Sequence, residues 1–169
     1  MSKIYNFNDY DKYFALRINL ELWLIIAWFM RPVILLISTK QMGRGPKSDS
    51  VGGLKDLVYP DDFGFFLAFV TIIPVVLVIF AYMKRKPDAP DYIRTLWRNC
   101  GKLLLLAAAL NVVVVFVPFL IDLTYRINLL GWGQLAIAAY IIFYLMTSRR
   151  VRDTFADFPA DTEADDAKK

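Results

Sequence analysis

The chain has 169 residues, 57% of them hydrophobic and 15% aromatic, with a formal net charge of +4 and a single cysteine, Cys100. It contains no histidine, which excludes histidine-ligated haem, imidazole zinc sites and Ser-His or Cys-His nucleophilic catalysis from this chain alone. One cysteine permits neither an internal disulfide nor a thiolate cluster for zinc or iron–sulfur, and no cofactor is expected.

In chain order, the hydrophobic content resolves into four long runs. Crossing about 30 Å of hydrocarbon takes roughly 20 mostly apolar residues. The first run covers residues 20–38 and is interrupted by Glu21 and by Arg31-Pro32. A linker over 39–62 follows, rich in glycine, and closes on Tyr59-Pro60-Asp61-Asp62, where an aspartate is suited to cap the next helix. The second run, 63–83, carries no charge; the third, 103–121, holds Asn111 and Pro118; the fourth, 129–147, holds Gln134 near its start. A soluble amphipathic helix needs a polar stripe every 3.6 residues, and 63–83 has none. The fold class is therefore an all-α membrane protein with four transmembrane helices. One transmembrane domain with a cytoplasmic helical extension spans 1–159, and 160–169 form a disordered acidic tail. The long leader before the first run, and the lack of a small-x-small site after Ser38, argue that this helix is not a cleaved signal peptide.

Lysine and arginine distribute unevenly between the connecting segments. The N-terminus, the loop after the second run and the C-terminal tail hold 14, the other two loops hold five, and Arg31 lies inside a span. The positive-inside rule puts both termini in the cytoplasm. Trp23 and Trp97 fit the cytoplasmic interface and Trp132 the opposite one. The net charge thus reads as a topology signal rather than a nucleic-acid footprint.

Between the second and third runs, Ile93, Leu96 and Trp97 share one helical side while Arg94 and Arg98 share another. This predicts a short interfacial helix before the third span, with Arg94 and Arg98 facing anionic lipid headgroups. After the fourth run, Val151, Phe155 and Phe158 recur at i, i+4 and i+7. The fourth helix is expected to continue to Pro159, with Phe155 and Phe158 packing on the molecule itself or on a partner. Cys100 lies at the cytoplasmic edge of the third span. A free thiol is the default there, with reversible palmitoylation as the alternative.

The polar groups inside the spans carry the functional question. An arginine at a helix centre costs roughly 2.5–3.5 kcal/mol on insertion scales, so Arg31 is expected to snorkel, pair or line water. Pro32 removes a backbone donor and predicts a kink, with the carbonyl of Trp28 freed for the arginine to cap. Asp122, on the same face as Asn111 and Pro118, is the ionic partner to expect. A seam of Arg31, Asn111 and Asp122 serves either packing or the passage of a proton or ion. Glu21 is expected to pair with Arg17 at i, i+4.

Several landmarks together resemble the YfeZ-like family of small bacterial inner-membrane proteins of unknown function. They are Tyr10-Asp11, Leu22-Trp23 with Arg31-Pro32, Tyr59-Pro60, Leu96-Trp97-Arg98, and above all the segment from Ser148 to Pro159. The family's glycine and proline between Tyr10 and Glu21 are absent here. The resemblance implies a Gram-negative inner-membrane location and brings no activity. Without catalytic constellations, the function expected is an accessory or scaffold subunit of a larger membrane complex rather than an enzyme. A small transporter or channel using the Arg31, Asn111 and Asp122 seam is the alternative. Membrane lipids, other membrane subunits or a second copy are the expected partners, and nucleic acid is not.

Overall fold

A computed structural model describes residues 5, 9–11, 13–42, 58–59, 62–121 and 129–159. Seven α-helices and one 3₁₀ turn are described: α1 (Leu20–Phe29), α2 (Arg31–Met42), α3 (Asp62–Ala68), the 3₁₀ turn Phe69–Thr71, α4 (Ile72–Met83), α5 (Asp91–Ile121), α6 (Leu129–Thr147) and α7 (Arg149–Ala156). Among the described residues β pairing is limited to an isolated bridge between Tyr10 and Leu16. The linker over 43–57, Pro60, Asp61, residues 122–128 and the tail over 160–169 lie outside the described residues, and with them the expected aspartate cap and the disordered tail.

Three helical stretches are each long and apolar enough to cross a membrane: Phe63–Met83, Asp91–Val117 and Leu129–Thr147. A fourth exists if α1 and the α2 segment to Ser38 count as one span, because they meet at a bend of 58°. Pro32, fully buried, has no N–H to continue the ladder, and the chain turns at Met30. The second stretch is also irregular. The 3₁₀ turn precedes Pro74, which cannot donate to the carbonyl of Val70, and the Thr71 hydroxyl donates instead to the Ala68 carbonyl at 2.7 Å.

α5 is the central column, packed by α3, α4, α6 and α7. Its inward face is built largely of small and medium side chains, Cys100, Leu104, Ala107 and Ala108, which allow close approach. The outward faces carry larger apolar groups, among them Phe66, Ile73, Val76, Phe80, Leu106, Val113, Ile137 and Phe143.

The expected short interfacial helix is not a separate element. Residues 91–121 form one continuous helix, and its apolar side at Ile93 and Trp97 is fully buried against the protein rather than turned to a lipid leaflet. A one-sided apolar stripe is the same in sequence whether lipid or protein covers it, so periodicity alone misassigned it. Cys100 is fully buried on this same side and donates to the Leu96 carbonyl at 3.3 Å, which withholds it from acylation. At the other end, α6 does not run on into the tail. Ser148 leaves helical geometry, its hydroxyl accepts from the Val151 N–H, and α7 starts afresh. The Arg17–Glu21 pair is not formed because residue 17 precedes the helix; Glu21 accepts from the side chain of Asn19, the N-cap of α1, at 3.1 Å.

The N-terminal segment, the turn after α4 and α7 all meet at one end of the bundle, around Trp97. Its indole N–H donates to the carbonyls of Thr154 at 3.1 Å and Asp157 at 2.9 Å. The Arg85 guanidinium lies over the ring, 4.5 Å from its centroid, and Phe155 packs edge-on with centroids 5.2 Å apart. Trp97→Ala is expected to remove this cavity-filling ring and the indole donor to the Thr154 and Asp157 carbonyls, lowering stability by about 3–5 kcal/mol. The exposed neighbouring change Arg98→Ala should shift stability by no more than about 0.5 kcal/mol. Thermal unfolding of the detergent-solubilised variants measures both.

Candidate functional site

Two polar centres stand out, one at each end of the bundle. The first surrounds Arg31. The break between α1 and α2 aims this half-buried side chain at the start of α6 and at the segment preceding α3. Its Nε donates to the Tyr59 hydroxyl at 2.8 Å and its Nη2 to the Gln134 Oε1 at 2.8 Å. Gln134 in turn donates through Nε2 to the Val58 carbonyl at 3.1 Å. The guanidinium plane lies 4.4 Å from the centroid of Trp28 and 5.6 Å from that of Tyr59. One helix break, one span and one loop end are thereby tied by a single fork. A lysine could not reproduce it, because its donors radiate from one point.

These contacts differ from the expected ones. Arg31 does not cap the Trp28 carbonyl; the partners described for it are a neutral hydroxyl and a neutral amide. Asp122 lies outside the described residues. Asn111 is 2% exposed on α5, and its Oδ1 has no hydrogen-bond partner among the described residues; the same holds for Arg31 Nη1. Tyr59 was legible in the sequence only as part of a turn, and Gln134 only as a polar residue early in a span. A polar side chain about one and a half turns inside an apolar run is the signal that could have paired Gln134 with Arg31.

The second centre is the clasp around Trp97. Arg85, 6% exposed, donates through Nη1 to the Leu16 carbonyl at 3.0 Å and through Nη2 to the Asp157 carbonyl at 3.0 Å. The Asp157 carboxylate accepts from the Leu16 N–H at 2.7 Å. Arg150 pairs with Asp9 at 3.1 Å, and the Tyr5 hydroxyl donates to Asp153. Burial lowers the pKa of Arg85 from its ordinary value, opposed by the charges of Asp157 and Asp11. The N-terminal segment reaches this clasp through a tight hook. The Asp11 side chain accepts from the Tyr13 N–H, and Phe14 takes a positive φ of 57°.

The remaining residues singled out from the sequence fall on the clasp or beside it. Phe155 is buried against Trp97, and Phe158 is half-buried against the same core, so both dock on their own chain. Arg94 is turned to the protein: it donates to the Pro87 carbonyl at 2.8 Å and the Ala89 carbonyl at 3.3 Å and lies over the Phe158 ring. Arg98 is exposed. Among the described residues, no group of three or more Cys, Asp or Glu side chains is placed to hold a metal ion.

The sequence profile of DUF2919, described as a protein of unknown function, matches residues 5–157. The chain belongs to the DUF2919 family. That span starts at Tyr5 and ends at Asp157, two residues of the clasp, so both the clasp and the Arg31 centre lie within the family region. Neither the curated proteins nor the solved structures yield a match.

If the Arg31 fork joins α1 to α6 energetically, the double change Arg31→Ala with Gln134→Leu should depart from additivity. A coupling of about 0.6–1.7 kcal/mol is expected in a double-mutant cycle read by unfolding in detergent, with Arg31→Lys recovering only part of the loss. Strict additivity would show that the two side chains do not support each other.

Proposed function

We propose that this DUF2919 protein is a multi-pass protein of the bacterial inner membrane with four spans and both termini in the cytoplasm. Within that membrane it works as an accessory or scaffold subunit of a larger assembly. The membrane reading draws on the outward apolar side chains of every long helix, a surface that water would not tolerate at that extent. The YfeZ-like resemblance supports the inner-membrane location. The charge asymmetry supports the orientation, as does the meeting of both terminal segments at the same end of the bundle, where Tyr5 and Asp9 contact α7.

The subunit reading is carried by the seam between α1 and α6. A groove of about 310 Å³ opens there, lined by Leu24, Ile25, Trp28, Ile137, Tyr140 and Tyr144, with Glu21 at its mouth. The bend at Met30 leaves α1 only ten residues long, and it rests mainly on α2 and α4. A helix from a neighbouring protein fits this seam as the element that completes the bundle wall.

Native mass spectrometry of gently solubilised protein tests the reading. A mass above that of the 19.5 kDa chain is expected for the natural protein, and Ile137→Trp, which fills the groove, should release the monomer. A clean monomer of the natural protein overturns the subunit reading. Orientation is checked separately. A fluorescent protein fused after Lys169 should fluoresce, whereas an active alkaline phosphatase fused at the same point would place that end outside.

Transport is the second reading, favoured by the buried Asn111 Oδ1 and Arg31 Nη1 that lack partners among the described residues. Such atoms bind water or a passing ion readily. Flux across liposomes that survives Arg31→Ala and Asn111→Ala unchanged would remove it.

A further inference from the structure

We propose that the corner where α5, α6 and α7 meet holds the headgroup of an anionic phospholipid. The proposal rests on the membrane reading above. A pocket of about 540 Å³ opens at this corner. Its rim carries three cations, Arg98 and Lys102 one turn apart on α5 and Arg152 on α7, all of them exposed. No carboxylate of the described residues lines it. Its floor is apolar, formed by Leu105 on α5 and by Leu145 and Met146 at the end of α6.

The order of these groups follows that of a phospholipid. Arg98, Lys102 and Leu105 succeed one another along one face of α5 toward the middle of the span. A phosphate held at the two basic residues therefore directs its acyl chains over Leu105 and Met146. The break at Ser148 makes this possible. Had α6 continued straight, Arg152 would stand about 7 Å beyond Thr147 along its axis. Restarting as α7 folds Arg152 back over α5. Gly101 faces α7 here, and a Cβ on it would come into van der Waals contact with the Phe155 ring at 3.4 Å.

Among the described residues the cations stay uncompensated, because the acids of α7 and its C-cap are engaged elsewhere. Asp153 accepts from Tyr5, Asp157 accepts from the Leu16 N–H, and Arg150 is neutralised by Asp9. Arg94, one turn before Arg98, is likewise taken up by the turn carbonyls and the Phe158 ring. The basic residues of this end thus divide into those that fasten the fold and three that face an open pocket. An anion with an attached apolar tail matches that pocket in charge and in shape.

The test compares lipid retention by native mass spectrometry after reconstitution in nanodiscs of mixed phosphatidylglycerol and phosphatidylcholine with identical chains. The natural protein should retain phosphatidylglycerol preferentially. The triple change Arg98→Ala, Lys102→Ala and Arg152→Ala should cut that retention on the order of tenfold. An equal charge loss at the same end, Arg17→Ala, Lys84→Ala and Lys86→Ala, should leave it within about twofold. The conservative pair Arg98→Lys with Arg152→Lys should retain the lipid and so rule out misfolding as the cause. Equal losses from both triple variants would show a diffuse surface field and overturn the proposal. So would displacement of the lipid by millimolar inorganic phosphate alone, which would mark a free-anion site. If the protein fails to enter nanodiscs at all, the membrane reading fails; entry without phosphatidylglycerol preference overturns only the lipid site.

Discussion

The organisation of this protein depends on one side chain meeting three segments at once. Trp97 places an indole ring in the bundle interior and aims its N–H at the main chain of the last turn of α7 and its C-cap. The ring is a flat apolar platform with a negative face, and the Arg85 guanidinium settles on it. Burial of Arg85 there is offset by two of its donors finding carbonyls, Nη1 one from the N-terminal segment and Nη2 one from the C-terminal segment. Take away the ring and the arginine loses its seat, the two terminal segments lose their common donor, and α7 loses the surface that Phe155 packs on. The other polar centre repeats the logic at the far end, where Arg31 joins three pieces of chain through neutral acceptors and an aromatic face. In both places an arginine fork holds together segments remote in sequence, which a point charge could not do.

How far the sequence discloses this depends on range. The long apolar runs at 63–83 and 129–147 are visible because a helix hydrophobic all round has no soluble home, and the helices found there match them. Pro32 foretold the bend, since a missing donor is a local fact. The partners of Arg31 were not legible. Asp122, the obvious electrostatic choice, lies outside the described residues, and the partners described for the arginine are a hydroxyl and an amide from residues 28 and 103 positions away. Opposite charge is a strong prior for who pairs with whom, but in an apolar interior any well-aimed acceptor will serve.

Two errors at the clasp share a cause. The stripe of Ile93 and Trp97 was assigned to a lipid surface, and the run of Val151, Phe155 and Phe158 was read as an unbroken helix. Both rested on periodicity, which reports that a face is apolar but not what covers it. A local signal was present in the second case: Ser148, three residues before Val151 and followed by a basic turn, is a favoured N-cap. Pro74 was a similar signal for the irregularity in the middle of the second span. The basic residues show the complementary limit. Counting them treats all basic residues alike, but only the fold separates Arg85, Arg94 and Arg150, which bind the protein itself, from Arg98, Lys102 and Arg152, which are exposed.

The clasp also has a consequence in time. Leu16 bonds to Asp157 and Asp9 to Arg150, each across 141 positions of chain. On a ribosome adding roughly 5–20 residues per second, the amino-terminal hook emerges long before its partners exist. It must wait, unsatisfied, while every long apolar helix is synthesised. Only when α7 has been synthesised can the ends of the chain meet and Arg85 be covered. A nascent chain halted after α6 would therefore carry all its long apolar helices with an open, basic end, distinguishable by a cell's surveillance proteases from the finished molecule.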